Sequence, residues 1–206
     1  GGDLEVLTDT LAGNETVFVD TGTATTTIRG DGGVVQTDAG LLVDSANSGD
    51  LVLTGNSTFN VTALDADVDA TGTTGVVDII TAADAGSGGD SIVVETGTEN
   101  TDITGTGTAG VVEVDADLLA GTKTLTLDGD ATFTVSNVAS DVTVDAASGG
   151  DGPLGGVLTV NIDNNATGVD VITGLADTNV SGGGSGTYTV DATEMIDTNG
   201  NASDLA

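Results

Sequence analysis

Carboxylates dominate the chemistry this chain can offer. Asp65-Ala-Asp67-Val-Asp69 sets three at alternate positions, and Asp197-Thr-Asn199-Gly-Asn201 combines one carboxylate with two amide oxygens. Ca²⁺ takes roughly six to eight oxygen ligands, so alternating acids in a loop suit it. Neither cluster is an EF-hand, because counting from Asp65 the sixth position is Ala70 and the twelfth is Val76, where that loop needs Gly and Glu. If 65–69 is instead a strand, its three carboxylates share one solvated face, and their repulsion invites a cation. A second pattern, Gly86-Ser-Gly88-Gly-Asp90-Ser-Ile92, has Gly13-Asn14-Glu15-Thr16-Val17 and Gly168-Val-Asp170-Val-Ile172 as its counterparts. Asp90 and Asp170 are therefore either cation ligands or caps of tight turns.

Catalytic groups are scarce. There is no His and no Cys, and the only basic side chains are Arg29 and Lys123. General-base and thiol chemistry lack their usual residues. Paired carboxylates cleave glycosides in some folds, but such sites lean on aromatic platforms, and this chain has three Phe, one Tyr and no Trp. No enzyme is expected. Two basic residues also leave no face for nucleic acid.

Six Asn-x-Ser/Thr sequons start at Asn14, Asn56, Asn60, Asn165, Asn179 and Asn201. In an exported protein they are N-glycosylation acceptors; otherwise they are Asn residues in turns.

The elements that must carry these residues read as β throughout. Of 33 acidic residues 27 are Asp, and 33 Gly join a sequence dominated by Thr and Val, a vocabulary of strands and turns. Apolar residues alternate with Thr, Asp or Ser, as in Leu125-Thr-Leu127 and Phe133-Thr-Val135, the period of half-buried strands. That alternation and a hydrophobic fraction of 37% argue against disorder despite a net charge of -31. A fold with this charge needs cations, salt or partner subunits to offset its repulsion. No stretch is long enough to span a membrane. The chain opens on Gly1-Gly2-Asp3 without a signal peptide, so an exported form would be mature or excised.

The chain also repeats itself. Leu51–Val61, LVLTGNSTFNV, matches Leu125–Val135, LTLDGDATFTV, 74 residues on. Val17–Gly30 aligns with Ile92–Gly105 at 75, and Gly110–Ala116 resembles Gly186–Ala192. The division this suggests is a partial first repeat (1–50), a second (51–124), and a third with a C-terminal tail (125–206). Strand centres at Phe59, Val68 and Val77 lie about nine residues apart, which suits the rungs of a parallel β-solenoid. Tandem or single β-sandwiches, Ig-like or jelly-roll, are the alternative.

The Gly86–Ile92 pattern resembles the calcium-binding nonapeptide of RTX-type adhesins and S-layer proteins, whose chains carry Thr/Asp/Gly-rich β repeats. In that family each calcium lies between two successive nonapeptide turns, and this chain has no tandem pair. The resemblance implies an extracellular, cell-surface protein with bound Ca²⁺. The expected function is a self-assembling S-layer, sheath or filament subunit, with copies of itself, cations and cell-surface polysaccharide as partner classes. A stalk or binding segment of a larger adhesin, or a viral or phage fibre, would use the same composition.

Overall fold

A computed structural model describes residues 2–8, 11–43, 49–86, 91–108, 110–149, 153–193 and 195. The alternating runs become eighteen strands among these residues. In chain order the first nine are β1 (Leu4–Thr8), β2 (Thr16–Asp20), β3 (Thr26–Gly30), β4 (Val34–Asp38), β5 (Leu51–Gly55), β6 (Thr58–Leu64), β7 (Val68–Thr73), β8 (Val77–Thr81) and β9 (Ile92–Glu95). There follow β10 (Thr101–Gly105), β11 (Val111–Asp115), β12 (Thr124–Gly129), β13 (Thr132–Val138), β14 (Thr143–Asp145), β15 (Leu158–Ile162), β16 (Thr167–Ile172), β17 (Thr178–Gly182) and β18 (Thr187–Asp191). Odd-numbered strands form one nine-stranded sheet and even-numbered strands the other, every pair parallel. The chain thus winds as a β-solenoid that adds one strand to each sheet at every turn. Sandwiches of the Ig or jelly-roll kind need antiparallel strands, and none is present among the described residues.

Period two explains the core. In the even sheet Val35, Phe59, Val77, Thr101, Leu125, Val144 and Val171 stand in register from strand to strand, all buried. The odd sheet answers with Leu51, Val68, Val94, Val114, Val135 and Val160. These side chains meet between the sheets as one continuous core. Each buried Val, Leu, Ile or Phe contributes about 1.5–3 kcal/mol, so stability accumulates rung by rung.

The sequence repeat acquires a geometric meaning here. An offset of 74 carries β5 onto β12 and β6 onto β13, while 75 carries β2 onto β9 and β3 onto β10. Each step is seven strands. Seven is odd, so a repeat lands on the opposite sheet, three and a half turns further along. Phe59 and Phe133, both wholly buried, therefore sit in different sheets. Their surroundings match nevertheless. A Cβ on Gly30 would crowd Ser57 and the Phe59 ring, and one on Gly105 would crowd Ala131 and the Phe133 ring. Gly55 and Gly129 share a positive φ (97° and 87°) and back onto the carbonyls of Gly30 and Gly105, where only glycine fits. The positions used to divide the repeats, 51 and 125, fall on the first residue of β5 and the second of β12.

Burial falls off at the two ends. Val6 on β1 and Val17 on β2 are half-buried, as are Val180 on β17 and Val190 on β18, although equivalent inward positions such as Ile103 and Val114 are closed off. The outer backbone edges of β1, β2, β17 and β18 pair with no other described strand.

Candidate functional site

Parallel strands lie about 4.8 Å apart, so any outward side chain recurs at that spacing along a sheet. On the odd sheet the register aligns Asp69, Glu95 and Asp115 on consecutive strands. Asp50 and Asp67 border the same shallow depression as Asp69 and Glu95. On the even sheet Asp78 and Asp102 are neighbours, followed by Thr126 and Asp145. Both faces therefore carry a column of carboxylates over the same middle turns. Adjacent like charges at this distance cost on the order of 1 kcal/mol each in water, more where partly buried.

The even-sheet column shows that cost. Burial first, then the carboxylates of Asp128, Asp78 and Asp145, push Asp102 up to about 6 from its ordinary 3.8. Asp78 is raised too, by burial and by Asp128. Oδ1 of Asp102 is buried with no hydrogen-bond partner, and the Asp128 side chain is 1% exposed.

Several Asp residues, some of them in these columns, also have a local task. Oδ1 of Asp38, Asp69, Asp115, Asp145 and Asp191 accepts the N–H two residues on, at 2.9–3.1 Å, and all of these but Asp69, the second residue of β7, end a strand. This Asx-turn bends the chain around the corner. The Ala that follows is buried in the first four cases (Ala39, Ala70, Ala116, Ala146). Hydrogen bonds from the Thr193 side chain and backbone lower the pKa of Asp191. Three of these corners extend to the next strand of the same sheet, for Thr21, Thr96 and Thr173 donate their N–H to the carbonyls of Asp38, Asp115 and Asp191 at 2.9–3.0 Å.

This geometry places the sequence-derived candidates. Asp65 lies just before β7 and bridges to Val43. Asp67 Oδ1 accepts the Val93 N–H (2.7 Å), and Asp69 Oδ1 accepts both the N–H and the hydroxyl of Thr71 (2.9 and 2.6 Å). Asp67 is thus tied to β9 and Asp69 to its own strand. Asp170 is exposed inside β16, between Thr143 and Thr189, and Glu15 takes the Ala12 N–H as a turn cap. Asp90, Asp197, Asn199 and Asn201 lie outside the described residues. Among the described residues no three acidic side chains gather closely enough to hold a metal ion. The carboxylates that strand register brings together stand in ladders along the sheets. Sequence reading missed the ladders because Asp78 and Asp102, 24 residues apart, become neighbours only through strand register.

Both cations are engaged within the chain: Lys123 Nζ meets Glu99 at 2.5 Å, and Arg29 meets Asp31 at 3.9 Å. No helix among the described residues is long and apolar enough to cross a membrane. Comparison with protein-family models, with curated proteins and with solved structures finds no match.

Proposed function

We propose that this chain is an extracellular structural rod, a self-assembling unit of a surface layer, sheath or filament held together with the help of divalent cations. The observation that carries this reading is the pair of solenoid ends, where half-buried core valines lie beside strand edges with no described partner. Parallel edges of this kind accept a further strand, and a head-to-tail contact between copies does not close on itself but propagates. Two carboxylate columns supply the electrostatic control. They repel a second chain in cation-free buffer, and Ca²⁺ between faces removes the repulsion. A stalk holding a distal adhesin domain would use the same rod without self-association. Electron microscopy of the folded chain in Ca²⁺ distinguishes them: filaments or ordered lattices are expected, and isolated short rods at every concentration would refute assembly.

A further inference from the structure

Three of the described sequons occupy one equivalent place in the fold. Asn14, Asn56 and Asn165 lie at corners where the chain passes from the odd to the even sheet, and Thr16, Thr58 and Thr167 two residues on open β2, β6 and β16. All three Asn side chains are exposed. Oδ1 of Asn56 accepts the Gly32 N–H (2.6 Å), and Oδ1 of Asn165 accepts the Ser185 N–H (3.2 Å). Nδ2, the atom that would carry a sugar, has no hydrogen-bond partner among the described residues at any of the three. Among the described residues the hydroxyls of Thr16, Thr58 and Thr167 have no hydrogen-bond partner either.

The other two described sequons differ in both respects. Asn60 and Asn179 lie inside β6 and β17, on the outer faces of the sheets. Their hydroxyl residues are engaged: Thr62 Oγ1 donates to the Thr37 carbonyl (3.2 Å) and Ser181 Oγ to Asn161 Oδ1 (2.7 Å). An N-glycosylating enzyme reads the hydroxyl as well as the amide, so a paired strand with a bonded hydroxyl is a closed substrate.

We propose that the folded chain is N-glycosylated at Asn14, Asn56 and Asn165, one row of sugars along a single edge of the solenoid, and not at Asn60 or Asn179. The donor is a lipid-diphosphate-linked oligosaccharide. Nδ2 loses a proton to solvent and forms the bond to the sugar's anomeric carbon, while the carbon–oxygen bond to the diphosphate breaks and the lipid diphosphate leaves with the electron pair. The Oδ1 bonds to Gly32 and Ser185 survive, because the modified amide keeps its carbonyl. Sugars on this edge leave both carboxylate faces uncovered. The proposal rests on the extracellular reading above, but not on assembly.

The test is glycosylation of the purified full chain, folded and urea-unfolded, by a single-subunit oligosaccharyltransferase with its lipid-linked donor, followed by site-by-site peptide mass mapping. The folded chain is expected to be modified at Asn14, Asn56 and Asn165 at least tenfold more than at Asn60 and Asn179, and unfolding should erase the difference. Equal occupancy at all five sites when folded, or a folded chain refused at the three corners, would overturn the proposal. Chain purified from its native source and carrying no sugar would overturn it too, whereas assembly of sugar-free chain leaves the rod reading intact.

Discussion

At the scale of single residues, one side chain type serves two opposed purposes. An Asp at a strand end has its charge met by backbone N–H groups, as at Asp115 and Asp145, and its carboxylate stabilises a corner. An Asp in mid-strand, as at Asp78 or Asp102, faces its own kind across the sheet. The consequence is a definite pH dependence. Because Asp102 titrates near 6 when folded and near 3.8 ordinarily, the native state binds the proton more tightly between those values. Stability from this group is fully present at low pH and is lost as pH rises through about 6. Asp78 adds to the effect in the same direction. Melting temperature should therefore rise as pH falls from 7.5 to 5, and Asp102→Asn should raise it at pH 7.5 by about 2–4 °C while flattening the profile. A scanning-calorimetry series over pH measures both, and a variant whose profile stays parallel to wild type would count against the ladder. The sequence showed the Asp excess and its turn chemistry, but not which carboxylates would stand together, since register between strands is a tertiary property.

At the scale of elements, much was legible from alternation alone. Leu125-Thr-Leu127 and Phe133-Thr-Val135 are strands, and the nine-residue spacing of Phe59, Val68 and Val77 places three successive strands on alternating sheets. What the spacing could not show was that the repeat contains an odd number of strands, so that equivalent residues face each other's sheets. That equivalence makes a quantitative prediction. Phe59→Ala and Phe133→Ala empty matching pockets over Gly30 and Gly105 and should each cost about 3–5 kcal/mol. Equilibrium denaturation in urea should give two losses equal within about 1 kcal/mol. A large inequality would mean that the two copies have diverged in packing despite their matching sequences. The RTX-like turn was only partly informative, because Glu15 and Asp170 sit in different local structures, a turn and a strand.

At the scale of the whole molecule, the proposed assembly sets a short-range attraction at the solenoid's ends against a long-range repulsion along its sides. The ends offer strand edges and half-buried valines, and the sheet faces carry the carboxylate columns of a chain whose net charge is -31. Monovalent salt screens the repulsion beyond a distance of about 10 Å at 0.1 M. On the proposed reading divalent cations act more strongly than monovalent ones, because each carries twice the charge to set against carboxylate columns such as Asp69, Glu95 and Asp115. Binding to the folded chain alone also raises its stability by mass action. The measurement that bears most directly on this account is sedimentation velocity across a Ca²⁺ titration, reversed with EDTA, on wild type and on a Leu4→Lys variant that places a charge on the exposed edge strand β1. Wild type is expected to grow into large species with Ca²⁺ and return to single chains with EDTA, while the variant stays small. A wild-type chain that sediments as a monomer at every Ca²⁺ concentration would contradict it.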